Sequence, residues 1–212
     1  MRRRPLYWAA GAVLLGLLLA AVPAARERVL RWAGSLLVTE EPLQAADVIV
    51  VTIDAGGAGV LEAADLVHSG FSSRVAVFAR PLDGAAREFI RRGIAYEDAT
   101  AREIKLLHSL GVEHVERIGE VEGSQDEGAS LPDWCARHQL RSVIVVSSSE
   151  HSHRLRRVLR RAEKQSGTHF TIRPARYSDF DRARWWWTRD GIRMEIIEFE
   201  KLLLDYVSHP VS

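Results

Sequence analysis

Eight consecutive residues, Ser147-Ser148-Ser149-Glu150-His151-Ser152-His153-Arg154, concentrate the chemistry of this chain. They follow a β-branched apolar run and open a helical pattern. Small hydroxyls at such a junction sit beside free backbone N–H groups and the positive end of the helix dipole, which together accept an anion. His151 can exchange protons near neutral pH and is the candidate catalytic residue. Arg154, one turn on, can clamp an oxyanion bidentately. A helix capped by Ser149, with His151 at the rim, accounts for the same residues equally well.

Other segments add candidates. Asp54-Ala55-Gly56-Gly57-Ala58-Gly59 is glycine-rich behind a strand pattern, but it lacks both G-x-G-x-x-G spacing and G-K-[ST]. Gly56 and Gly57 can let backbone approach a ligand; a tight turn is the equal alternative. Ser124, Asp126 and Glu127 lie in a polar stretch, where either acid can serve as a base or as partner to His151. For either acid alone, an exposed acidic loop is the weightier reading. His151 and His153 diverge on a helix and have no obvious third partner, so no metal site and no cofactor are expected. No G-x-S-x-G elbow supports a serine hydrolase. Trp185-Trp186-Trp187 can stack on a sugar or enter a membrane interface, although packing of a loop onto the core is the simpler role.

These residues need a scaffold. The runs 47–53 and 142–146 read as strands buried on both faces, with further strands at 74–79, 113–118 and 168–172. Helical patterns occupy 60–69, 97–110, 131–138, 151–164 and 191–207, with loops at 80–84 and 120–130. The last helix carries Ile192, Ile196, Phe199, Leu203 and Tyr206 on one stripe, expected to face the core. The arginines of 151–164 (Arg154, Arg156, Arg157, Arg160, Arg161) are expected to form a solvated face. The alternation predicts an α/β fold with a mostly parallel sheet covered on both faces. Ligands in such sheets bind beyond the carboxyl ends of the strands. That rule selects Asp54, Gly56 and Gly57; Arg80; Ser124 to Glu127; Ser147, Ser148, Ser149, Glu150, His151 and Arg154; and Arg176 with Tyr177.

An unbroken apolar run from Leu6 to Ala25 stands behind Arg2-Arg3-Arg4. Its length matches a bilayer's hydrocarbon core, and the arginines favour a cytoplasmic N-terminus. The expected division is therefore an N-terminal transmembrane anchor over 1–25, a connector over 26–45 and one α/β domain over 46–212. An uncleaved anchor is favoured over a signal peptide. The domain is placed outside the cytoplasm, tethered to the plasma membrane. Cys135 is the only cysteine, so no internal disulfide exists. A net charge of +1 gives no drive toward nucleic acid.

The order of an anchor, A-D-V-I-V-V, G-G, and S-V-I-V-V-S-S-S-E-H-S-H-R resembles the YdcF/SanA/ElyC superfamily of bacterial envelope proteins over about residues 46–207. The best motif is T-S-x-x-H-x-x-R-A-like, matched by Ser147, Ser148, His151 and Arg154, with Leu155 in place of the small residue. An N-T-x-E-N-like segment is replaced by Ser124-Gln125-Asp126-Glu127-Gly128. The resemblance implies a three-layer α/β/α Rossmann-like domain. It also implies a role in cell-envelope or surface-polysaccharide biogenesis, with an anionic phosphorylated glycan or lipid carrier as ligand. The alternatives are a non-catalytic scaffold for envelope machinery and a cytoplasmic domain binding a nucleotide-type ligand.

Overall fold

The protein was examined as a computed structural model that describes residues 22–210 together with residue 16. Five strands form its centre: β1 (Val48–Val51), β2 (Arg74–Ala79), β3 (His114–Glu120), β4 (Ser142–Ser147) and β5 (His169–Pro174). The order is β3-β2-β1-β4-β5 and every pairing is parallel. The chain enters at the middle strand, moves outward to β3, then crosses back to β4 on the other side of β1. Ile49 lies opposite Val75 in β2 and Ile144 in β4. The order reverses at β1/β4, and this is where such sheets open a crevice beyond their carboxyl ends.

The strands form because their β-branched residues are buried on both faces. Val48 and Val50 point into one core with Leu131, Trp134, Leu155 and Leu159. Ile49 and Val51 point into a second core with Val60, Ala63 and Leu107. Each such buried aliphatic side chain contributes roughly 1.5–3 kcal/mol. Two cores on opposite faces of one sheet give a three-layer, Rossmann-like arrangement. Helices α2 (Gly56–His68) and α4 (Ala99–Ser109) cover one face, and α5 (Ser124–Arg137) and α6 (Ser152–Ser166) the other. The remaining helices are α1 (Pro23–Leu36), α3 (Gly84–Arg91) and α7 (Arg189–Ser208), with a 3-10 turn at Trp185–Trp187.

Several elements differ from the sequence expectation. The polar stretch 124–130 is helical, so α5 starts at Ser124 and Pro132 sits inside it. Its first turn brings Ser124 to a cavity, and Asp126 and Glu127 favour a helix N-terminus. Helix α3 was not anticipated; Asp83 starts it by accepting a hydrogen bond from the Ala86 amide at 2.7 Å. Gly56 and Gly57 form the first turn of α2, with Gly56 in the left-handed region at φ +48°.

The largest correction concerns α7. Ile192, Ile196, Phe199, Leu203 and Tyr206 are exposed, while Glu195, Glu198, Leu202 and Asp205 are buried. Glu198 and Asp205 of the inward stripe meet Arg154, Arg157 and Arg161 of α6, while Arg156 pairs with Glu41 and Glu163 and Arg160 alone of the five is exposed. Arg157 Nε donates to Asp205 Oδ2 at 2.6 Å, Arg161 Nη2 to Asp205 Oδ1 at 2.8 Å, and Arg154 Nε to Glu198 Oε2 at 3.1 Å. The apolar face of α6 is already spent on the sheet, so charge is what it offers to α7.

At the N-terminus, α1 starts with Pro23 at its first position and continues through the stretch read as a connector. Trp185 Nε1 donates to the Leu30 carbonyl at 2.8 Å and fastens α1 to the tryptophan turn, whose Trp187 stays exposed. Apart from Gly16 and residues 22–25, the run from Leu6 to Ala25 lies outside the described residues. Among the described residues, no helix is long and apolar enough to cross a membrane.

Helices α5 and α6 meet at Gly128, where an added Cβ would lie 2.2 Å from Val158 Cγ1. Gly128→Ala is expected to lower stability by about 1–3 kcal/mol through overpacking, measured by urea unfolding.

Candidate functional site

The carboxyl ends of β1 and β4 are laced together. Thr52 Oγ1 donates to the Val146 carbonyl at 3.0 Å. Asp54 Oδ2 accepts from the Ser148 amide at 3.0 Å and the Ser148 hydroxyl at 2.6 Å. On the other side, the Ile53 amide donates to Glu127 Oε1 at 2.9 Å, and Arg80 Nη2 donates to the Ile53 carbonyl at 2.5 Å. The loop leaving β1 is thus held by β4, by the first turn of α5 and by an arginine beyond β2.

Above this loop lies a cavity of about 370 Å³, lined by Asp54, Arg80, Ser124, Ser148, Glu150, His151, Arg154, Glu198 and Lys201 among others. A neighbouring cavity of about 230 Å³ shares Ile53, Asp54 and Arg80 and extends to Gly56, Thr100 and Glu103. A separate cavity of about 400 Å³, beside Ser149, Arg176 and Phe180, contains none of the Asp54, Glu127 and His151 cluster. Asp54 and His151 line the first, and one ligand atom each from these two and from Glu127 lie within 4.8 Å of one another. His151 and Glu127 are buried.

Two groups contest one imidazole nitrogen. His151 Nδ1 is 3.1 Å from Glu198 Oε2 and 2.8 Å from Arg154 Nη2. An arginine only donates, so Nδ1 cannot carry a proton for Glu198 and accept from Arg154 at once. The electrostatics favour the proton. Burial works against a charged ring, but the Asp54 carboxylate and the bond to Glu198 outweigh it and Arg154, and His151 is held above its ordinary value. Burial also disfavours the Glu198 carboxylate, yet His151, Lys201 and Arg154 bring it well below the carboxylate range. Arg154 is further tied to Ser124 Oγ at 2.5 Å.

The two carboxylates of the cluster are pushed apart. Burial of the Asp54 carboxylate raises it, but the charge of His151 and the bonds from Ser148 keep it below its ordinary value. Glu127 is pushed up to about 7 by burial and by the negative charge of Asp54. Its Oε2 is buried and has no hydrogen-bond partner. An ionised carboxylate, a carboxyl titrating near neutrality and a charged imidazole within reach of one another form an acid–base set.

Of the sequence candidates, the structure gathers Asp54, Ser124, Glu127, Ser148, His151 and Arg154. It places others elsewhere. Ser147 is buried at the end of β4 and donates to the Ser148 carbonyl, while Ser149 faces the separate cavity. Asp126 is exposed and accepts from the Glu122 amide at 3.1 Å. Gly57 is exposed on α2, and Gly56 reaches only the smaller cavity. Arg176 and Tyr177 pair with Glu62 and Asp65. His153 turns away toward the Tyr206 hydroxyl at 3.2 Å. Glu198 was missed because the apolar stripe of α7 implied the opposite orientation; acids at i, i+3 and i+10 (Glu195, Glu198, Asp205) opposite an arginine-rich helix were the available signal.

No family model matches the chain, and no curated protein matches it. Among solved structures, the chain is similar to leucoanthocyanidin reductase from Vitis vinifera in its binary complex with NADPH, at 17% identity and a TM-score of 0.41. That similarity covers 74% of this chain, which spans 46% of the reductase chain.

The raised Glu127 fixes a pH dependence. Its folded value of about 7 exceeds the model-peptide value of 4.5, so the folded state holds the proton more tightly. The associated stability is complete below about pH 4.5 and is lost as pH rises through about 7. In metal-free protein, Glu127→Gln is expected to match wild type at about pH 4 and to exceed it by up to about 3 kcal/mol at pH 8. Equal thermal stability of the two proteins at both pH values contradicts this.

Proposed function

We propose that this chain is a membrane-tethered protein of the bacterial cell envelope that binds and processes a phosphorylated glycan or lipid-carrier ligand. The carrying observation is the clustering of Asp54 and His151, which line the 370 Å³ cavity, with the buried Glu127, and the presence of Arg80, Arg154 and Lys201 on the cavity walls. Those cations suit phosphate oxygens, and the carboxyl and imidazole groups suit proton transfer to or from the reacting centre. The cavity lies beyond the carboxyl ends of β1 and β4, where parallel sheets take ligands. The apolar run from Leu6 to Ala25, and the match of Ser147, Ser148, His151 and Arg154 to the YdcF/SanA/ElyC pattern, support the envelope setting.

One observation favours a second reading, a non-catalytic scaffold. Ile192, Ile196, Phe199, Leu203 and Val207 leave an apolar stripe of α7 exposed, and such stripes mark interaction surfaces.

Complementation separates the two. In a strain lacking the gene, His151→Ala and Arg154→Ala in the full chain are expected to abolish function while the protein accumulates normally. Full complementation by both, with loss of function in Ile196→Glu and Phe199→Glu, replaces the first reading by the second. A reporter fused after Ser212 is expected to report from outside the cytoplasm; a cytoplasmic signal overturns the envelope setting.

A further inference from the structure

Asp54, Glu127 and His151 share a feature that acid–base chemistry does not require. Each is fixed through one atom and leaves another free. Asp54 is held through Oδ2 by Ser148, leaving Oδ1. Glu127 is held through Oε1 by the Ile53 amide, leaving Oε2 buried and without a partner. His151 is held through Nδ1 by Glu198, leaving Nε2. A buried carboxylate oxygen without a donor is a costly arrangement unless something absent from the protein satisfies it.

We propose that Asp54, Glu127 and His151 form a binding site for one divalent transition-metal ion, Mn²⁺ or Zn²⁺. The ligand atoms lie within 4.8 Å of one another, so metal–ligand bonds of about 2.0–2.2 Å need only small side-chain movements. Glu198 supplies the outer carboxylate that metal-bound histidines require: it accepts the Nδ1 proton and presents Nε2 to the ion. Two carboxylates balance the dication, and Glu198 offsets the charge of Arg154. Carboxylates with one imidazole suit Mn²⁺ and Zn²⁺ better than Ca²⁺, which takes oxygen, or Cu⁺, which takes sulfur. Three protein ligands leave positions open toward the cavity for water or a phosphate oxygen. His153 takes no part, so the His-x-His spacing is not the metal motif.

The site deepens the proposed function, since it rests on the same cavity, but it does not depend on which ligand fills that cavity. The test is metal titration of purified full-length protein after chelator stripping. Free Mn²⁺ is followed by its paramagnetic resonance signal and Zn²⁺ by calorimetry. One equivalent is expected to bind with micromolar or tighter affinity and to raise the melting temperature. Glu127→Gln and Asp54→Asn, each checked for folding by circular dichroism, should weaken binding at least tenfold. Glu198→Gln, which only positions His151, should weaken it about 10–100-fold. Asp126→Asn, on the exposed side of α5, should leave it unchanged. Absence of saturable binding by either metal overturns the proposal, as does equal affinity in Glu127→Gln, Asp54→Asn and wild type. If no metal binds while His151→Ala still abolishes complementation, the metal site fails and the pocket reading stands.

Discussion

The arrangement of this domain depends on a charged seam between α6 and α7. Asp205 receives Arg157 and Arg161, and Glu198 receives Arg154 and His151. These contacts are largely withdrawn from water, so removing one partner strands the other charge at roughly 3–5 kcal/mol. The guanidinium of Arg157 also lies 3.6 Å from the centre of the Tyr206 ring, covering the seam from outside. The seam fixes which face of α7 turns inward. It also leaves Ile196, Phe199 and Leu203 toward solvent.

The same seam reaches into the cavity. Glu198 lies on the inward stripe of α7 and is the partner of His151, so packing of the last helix adds to the Asp54 charge in holding the proton on a residue after β4. On the opposite wall, backbone donors do the positioning: Ser148 N holds Asp54 and Ile53 N holds Glu127. Backbone amides at the ends of central strands are among the least mobile donors in a protein, because the sheet fixes them. The functional groups are thus located by the sheet from below and by the charged seam from the side.

Much of the scaffold is legible in the sequence because it rests on local patterns. Val48 to Val51 and Val143 to Val146 are unbroken β-branched runs, and burial on both faces is the only environment that suits them. Asp54, Ser148, His151 and Arg154 could be named from the rule that ligands sit beyond strand ends. The rest is hidden where a partner decides the outcome. Ser124 to Ser130 reads as a loop because its residues are mostly polar, and only the structure shows that it extends the helix over 131–138, with Ser124 at a cavity. The face of α7 reads backwards because apolar stripes normally face cores, and only the arginines of α6 reverse that preference. Glu198 therefore enters the site from a helix whose periodicity pointed it away. The orphaned Glu127 Oε2 exists only in three dimensions, since no pattern in Ser124-Gln125-Asp126-Glu127 sets apart the buried acid from the exposed one.

Helix α7, through Glu198, joins the Asp54 carboxylate in holding the proton on His151. The direct measurement is a ¹⁵N NMR titration of the His151 imidazole in metal-free protein, wild type and Glu198→Gln. A wild-type midpoint above the ordinary imidazole value of 6.5 is expected, with the proton on Nδ1 persisting after Nε2 deprotonates, and a downward shift in Glu198→Gln. A midpoint at or below 6.5 that is the same in both proteins contradicts it.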